Sequence, residues 1–164
     1  MSLSHPRPAF AFSANILGQL EAAGTPYFEG CIAMPGNRAH IKSMPGFRPA
    51  VIATAIDVES PYVEVVLGER CDLDATVQLR TRDNAVIDVH LFGDLMITTE
   101  AVTTALQGGR SIISSARFTF RTGDWRYMAL ALQDRTFLGE GVLFWGEDGH
   151  LYVRYAVNEV SGGN

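Results

Sequence analysis

The sequence predicts an all-β protein built as a single closed antiparallel β-barrel with one principal helix. Three observations carry this reading. Residues 72–93 (DLDATVQLRTRDNAVIDVHLFG) and much of 116–157 alternate apolar and polar side chains with the period of two that a half-buried strand requires. Tight-turn residues separate these runs at short intervals, with no long helices between them, which argues against parallel strand–helix–strand units. About eight strands result, enough for a sheet to close on itself and abolish its edges.

From the N-terminus, residues 1–13 read as a flexible lead, with Met1, Ser2 and Leu3 as an appended leader. Residues 14–23 fit a short helix stopped at Gly24, and Thr25-Pro26 then turns the chain into an extended segment at 27–34. Pro35, Pro45, Pro49, Gly36 and Gly46 make 35–49 a long loop. Strands follow at 50–58 and 62–67, joined by Glu59-Ser60-Pro61. Residues 98–107 form the helix, with Thr98 or Thr99 as N-cap, Glu100 in the first turn and Gly108-Gly109 as the stop. Strands at 114–121, 136–145 and 150–158 complete the barrel, and 159–164 reads as a flexible tail.

Pattern alone sets the register of the hairpin within 72–93. A two-residue loop at Asp83-Asn84 would place Leu79 opposite Asp88 and mix apolar with charged residues on one face. A three-residue loop, Arg82-Asp83-Asn84 with Asn84 left-handed, pairs Leu79 with Ile87, Val77 with Val89 and Ala75 with Leu91. One face is then wholly apolar, and the other carries Thr76, Gln78, Arg80, Asp88 and His90. Ala116, Phe118 and Phe120 segregate from Arg117, Thr119 and Arg121 in the same way, as do Leu151, Val153, Tyr155 and Val157 from Tyr152 and Arg154. Strand 137–145 is apolar on both sides, so it is expected to be covered on both, by a helix or by a partner subunit in a homodimer.

Composition narrows the function classes. A chain of 164 residues, 47% apolar, suits one domain with a real core. Eighteen acidic against thirteen basic residues give a net charge of −5, which disfavours nucleic acid or an anionic membrane as partner. Twelve of the thirteen basic residues are Arg, with Lys42 the single Lys; Arg is the better bidentate clamp for an anion. Cys31 and Cys71 have neither metal-ligand nor redox spacing and read as free buried thiols, with one disulfide between them as the alternative. The segment AFAFSANILGQL is interrupted by Ser13 and Asn15 and lacks a small-residue cleavage site, so a cytoplasmic protein is expected.

LDATVQLRTRDNAVIDV, FTFRTGDWRYMALALQDRTFLGEG and the closing LYVRYAV together resemble a family of small barrel proteins, the domain-of-unknown-function 3237 family of lipocalin-like (calycin-type) β-barrels. The residues that carry the resemblance are Leu73, Asp74 and Ala75; Thr81 and Asp83; Phe120, Thr122 and Gly123; Arg126 and Tyr127; Gly139 and Gly141; and Tyr155. The resemblance implies a lipocalin-like barrel with a central cavity, and no activity. Asn84 stands where the family usually has glycine. The tryptophan-leucine-asparagine that normally follows the tyrosine is absent, and the usual glycine-rich stretch of the first half survives only as Phe28-Glu29-Gly30. If that asparagine lines the family's cavity, the ligand here differs.

The four histidines, His5, His40, His90 and His150, are scattered without metal-ligand spacing, and no nucleophile elbow or phosphate loop occurs, so neither metal nor cofactor is expected. Gly139-Glu140-Gly141 lies inside a strand and reads as close packing. The candidate acid–base residues are Asp88 and His90, two apart on one hairpin face, and Glu140, whose pKa would rise if its face were the cavity. Arg80, Arg117, Tyr127 and Trp145 are candidate ligand-binding residues, with Trp125 as a further aromatic wall. The expected function is binding of a small apolar or aromatic anion. Alternatives are a cofactor-independent isomerase, cyclase or lyase, and a structural or interaction module with a filled barrel. The hairpin's polar face also reads simply as solvated outer wall.

Overall fold

The computed structural model describes residues 6–16, 31–32, 39–56, 63–64 and 67–160. Its strands are β1 (Arg7–Ile16), β2 (Cys31–Ile32), β3 (His40–Ser43), β4 (Ile52–Ala55), β5 (Val63–Glu64), β6 (Cys71–Thr81), β7 (Val86–Leu95), β8 (Ser111–Arg121), β9 (Thr136–Trp145) and β10 (Leu151–Val160), with one helix, α1 (Thr99–Leu106). Eight of them close a barrel in the order β1-β10-β9-β8-β7-β6-β4-β3, and β2 and β5 pair apart. The predicted all-β closed barrel with one helix is the observed fold.

The first third and the C-terminal end correct the expectations for their segments. Arg7–Ile16 is a ten-residue strand rather than a flexible lead running into a helix; the rest of the expected helix, 17–23, lies outside the described residues. Phe10, Phe12 and Ala14 point inward and are at most 3% exposed, so burial of alternate side chains holds this segment extended. Within the expected loop 35–49, His40–Ser43 is β3, with Ile41 buried between outward His40 and Lys42. Glu159 and Val160, expected in a flexible tail, end β10. The Glu59-Ser60-Pro61 turn lies outside the described residues.

The hairpin has the predicted register, with Leu79 opposite Ile87, Gln78 opposite Asp88 and Thr76 opposite His90. Asn84 takes a φ of 71° at the turn, and the Thr81 N–H donates to the Ala85 carbonyl at 2.9 Å. In α1 the Thr98 hydroxyl accepts from the Ala101 N–H at 3.0 Å, and Gly108 stops the helix at a φ of 87°. Ala101, Val102 and Ala105 join the barrel's apolar core, so α1 seals the end where β7 passes to β8.

Aromatic rings fill the interior. Phe10 lies 5.4–5.6 Å, centroid to centroid, from Phe118, Phe120 and Phe137, and Phe118 packs edge-on to Tyr155 at 5.3 Å. At this level side chains stand where the resemblance implies a central cavity; such ring pairs each add about 0.5–1.5 kcal/mol beyond their buried area. Gly139 and Gly141 face inward, as the close-packing reading expects. A Cβ at Gly141 would stand 2.7 Å from the Tyr155 ring. The Tyr155 hydroxyl, sealed inside, donates to Ser114 Oγ at 2.7 Å, and Ser114 donates to the Asp94 carbonyl at 2.6 Å.

On β9, Phe137, Gly139, Gly141 and Leu143 face in, whereas Leu138, Val142 and Phe144 face out and are partly or largely exposed. α1 touches both β8 and β9, so the expected helical cover is only partial. Among the described residues no helix is long and apolar enough to cross a membrane.

Candidate functional site

The motif residues of the second half converge at one end of the barrel. The Asp83 carboxylate, in the β6–β7 turn, accepts from the Thr81 hydroxyl at 2.5 Å and from the Tyr127 hydroxyl at 2.8 and 2.9 Å. Arg126 reaches Asp83 at 3.1 Å and clamps Asp124 through Nε at 3.0 Å and Nη2 at 2.8 Å. The Thr81 and Tyr127 hydroxyls hold the Asp83 carboxyl below the usual carboxylate range. Burial, reinforced by the Asp83 hydrogen bond, pushes the Tyr127 hydroxyl up. The Tyr127 hydroxyl is spent on Asp83, which ties the hairpin turn to the segment after β8 and leaves Tyr127 no free donor for a ligand. Its chemistry is that of a brace.

The predicted polar face of the hairpin is outer wall, and its residues take separate partners. His90 Nε2 meets Asp74 Oδ1 at 2.5 Å, Asp88 accepts from Gln78 at 3.2 Å, and Arg80 donates to Asn84 at 2.9 Å. The carboxylate facing His90 is therefore Asp74, not Asp88. Arg117 is exposed between Phe92 and Leu138. Glu140 also faces outward and shares a hollow of about 490 Å³ with Asp94, Ser115 and α1. Trp145 ends β9 at 37% exposure and Trp125 is 80% exposed, so neither walls an interior pocket. Cys71 is a free thiol, pushed up first by burial and then by Asp72 and Asp94; the side chain of Cys31 lies outside the described residues. Among the described residues no group of three or more His, Cys, Asp and Glu could hold a metal ion.

A different set of residues does converge, across the outer faces of β3, β1 and β10. Register places Ser13 of β1 between His40 and Arg154, and Ala11 between Lys42 and Ala156. Neighbouring strands lie about 4.8 Å apart, so His40 and Arg154 stand about 10 Å from each other with Ser13 between them, and Lys42 flanks Ala11 on one side only. Small residues on the middle strand beneath tall cationic flanks make a groove. Its volume is about 670 Å³; the loop residues Met44, Phe47 and Arg48 and the β9 residue Phe144 complete the walls, and among the described residues no carboxylate lines it.

Ser13 is 6% exposed, lines this hollow, and has no hydrogen-bond partner for its hydroxyl among the described residues. A buried hydroxyl without a partner costs about 1–3 kcal/mol, which a ligand acceptor would recover. Lys42, Arg48 and Arg154 form no ion pair among the described residues. Partial burial, then the Arg154 charge, lowers the His40 pKa. Phe144 stacks on Tyr152 at 5.7 Å and 19°, with the Arg110 guanidinium 5.5 Å from its ring, presenting an aromatic wall beside the cations. Such a groove can hold an anionic group against Ser13 and Arg154 and an apolar or planar body against Phe144.

Sequence reasoning missed this site because it spans β3, β1 and β10, two of which were read as loop or flexible lead. The available signal was the alternation in His40-Ile41-Lys42-Ser43, an inward isoleucine between two outward cations.

Three solved structures share the fold. A conserved protein of unknown function from Rhodopseudomonas palustris aligns at a TM-score of 0.60 and 17% identity, covering 98% of this chain and 99% of its own. A β-barrel-like protein from Acinetobacter baumannii AYE aligns at 0.60 and 16%, covering 98% of each chain. A protein of unknown function from Clostridium acetobutylicum aligns at 0.59 and 12%, covering 98% and 99%. At these identities the likeness establishes fold alone. No curated protein matches the sequence. The family described as "Protein of unknown function (DUF3237)" matches residues 6–160, nearly the whole chain and all of the barrel, and the protein belongs to it.

Proposed function

We propose that the protein binds a small organic anion with an apolar or aromatic body, in the groove on the outer wall of its barrel rather than inside it. The observation that carries this reading is the buried Ser13 hydroxyl between His40 and Arg154, which among the described residues has no hydrogen-bond partner, in a hollow whose described lining holds cations and no carboxylate. Guanidinium, ammonium and hydroxyl donors converging on one point suit a carboxylate, sulfonate or phosphate. Phe144 suits a ring.

The test is titration calorimetry with a panel of benzoate- and naphthoate-type carboxylates. Arg154→Ala removes a charge-assisted hydrogen bond worth about 1.5–3 kcal/mol, so affinity falls about 10- to 100-fold. Binding that Arg154→Ala leaves unchanged would refute the assignment. The acid–base alternative has no supporting geometry, since Asp88, His90 and Arg80 face outward with separate partners. The aromatic filling of the barrel supports, as a second reading, a structural or interaction module, and for that reading the whole panel would fail to bind.

A further inference from the structure

The groove does not end at Lys42. A second hollow, of about 510 Å³, follows the same outer face toward the start of β1, lined by Arg7, Pro8, Arg48, Arg135 and Glu159, and it shares the segment 45–48 with the first. The two hollows are successive along one strand, from Ser13 to Arg7. Six residues at about 3.3 Å each give a track of about 20 Å.

Charge along this track is uneven. Arg135 donates through Nε and Nη2 to the two Glu159 oxygens, at 2.8 Å each, and through Nη1 to the Arg48 carbonyl at 3.0 Å and the Ala129 carbonyl at 3.2 Å. Glu159, the carboxylate among the described residues lining the second hollow, is held by Arg135 and also feels the charge of Arg7, its neighbour across the β1–β10 pair. Arg7 and Arg48 form no ion pair among the described residues, although both line the hollow. The Arg135 bond to the Arg48 carbonyl also fixes the shared wall, so Arg48 stands at the junction of both hollows. Cations stand along the whole track: Arg154 beside Ser13, Lys42 beside Ala11, Arg48 where the two hollows meet, and Arg7 at the far end.

We propose, resting on the anion-binding reading above, that the natural ligand is two-headed: an elongated molecule with an anionic group at each end, lying along β1. One head group takes the Ser13, His40 and Arg154 end, and the other takes Arg7 and Arg48. Linking two anions in one molecule makes the second contact intramolecular, so it adds affinity without a second association cost.

The experiment compares straight-chain α,ω-dicarboxylates of graded length with monocarboxylates of the same chain length, by calorimetry at low salt. At one length the dicarboxylate binds at least about tenfold more tightly, a difference of about 1.4 kcal/mol. Arg7→Ala removes that advantage and leaves the monocarboxylate affinity unchanged, whereas Arg154→Ala weakens both series. Arg7→Gln, which keeps side-chain length without charge, gives the same loss, with thermal melting confirming that the fold is intact. Equal affinity of both series at every length, still weakened by Arg154→Ala, overturns the two-headed ligand and leaves the one-headed site standing. No binding by either series, together with none by the aromatic carboxylates, sinks both.

Discussion

The buried pair of Tyr155 and Ser114 allows a prediction in which two single losses cost more than their combination. Tyr155 is 1% exposed and Ser114 3%; the tyrosine donates to the serine at 2.7 Å and the serine to the Asp94 carbonyl. Ser114→Ala strands the phenol donor in the core, which costs about 2 kcal/mol, and at 2–4 °C per kcal/mol for a chain of this size melting falls by about 4–8 °C. Tyr155→Phe strands no donor, because Ser114 keeps its carbonyl partner, and costs about 1 kcal/mol. Adding Tyr155→Phe to Ser114→Ala removes the stranded hydroxyl, so the double variant is less destabilised than the sum by about 1 kcal/mol or more. Burial pushes the Tyr155 hydroxyl up to about 12 from an ordinary 10.0. A raised folded value means that this stabilisation is complete below pH 10 and is lost as pH climbs toward 12, a fall of about 3 kcal/mol that Tyr155→Phe abolishes. Denaturant unfolding of the four proteins, at neutral pH and across the alkaline range, measures both effects. Strict additivity, or an alkaline decline identical in Tyr155→Phe, would refute the reasoning.

Two further outcomes are expected. Gly141→Ala forces a methyl to 2.7 Å from the Tyr155 ring; overpacking of this kind costs about 1–3 kcal/mol, read as a lower denaturant midpoint at unchanged slope, and an effect within about 0.5 kcal/mol would show that the ring yields freely. His40 sits in the groove with its pKa lowered by partial burial and Arg154, so it is neutral at pH 7 and gains charge below the usual histidine range. Affinity for an aromatic sulfonate, whose own charge does not titrate, therefore rises as pH falls from 8 to 5, and His40→Ala flattens the profile; a flat profile in the unaltered protein would exclude His40 from the site.

What the sequence disclosed follows the strength of the local constraint. From Cys71 to Leu95 the two faces differ so sharply that a one-residue slip would bury Asp88, and the observed register follows. Helix α1 was legible because Thr98 and Gly108 are chemically matched to its two ends. β1 was not legible, because its outward residues, Ala11 and Ser13, are small and mildly polar, and alternation with Phe10, Phe12 and Ala14 has little contrast. β3 is four residues long in a proline-rich surround, where composition outweighs pattern. The binding groove compounds both failures, since Ser13, His40 and Arg154 meet only when β1 is laid between β3 and β10. The brace shows the opposite limit. Thr81, Asp83, Arg126 and Tyr127 were recognisable as a pattern, but that Asp83 is the shared acceptor is visible only once turn and loop are side by side.

β1 is also the stave that closes the barrel, and both of its neighbours lie elsewhere in the chain. Its pairing with β10 joins Arg7 to Glu159 and Ile16 to Leu151, across nearly the whole sequence. During synthesis the first barrel strand can pair early with β3, but its other edge must wait until the last strand has left the ribosome. Contacts of such separation are the slowest to form, because loop closure must precede any reward from pairing. A nascent chain halted before Leu151 lacks the strand between β9 and β1, so the sheet stays open with those two strands as raw edges, a template for intermolecular strand pairing. The same strand supplies the floor of the groove, so that surface comes into being at the instant of closure, and under the proposed function ligand occupancy would report completed folding rather than merely accompany it.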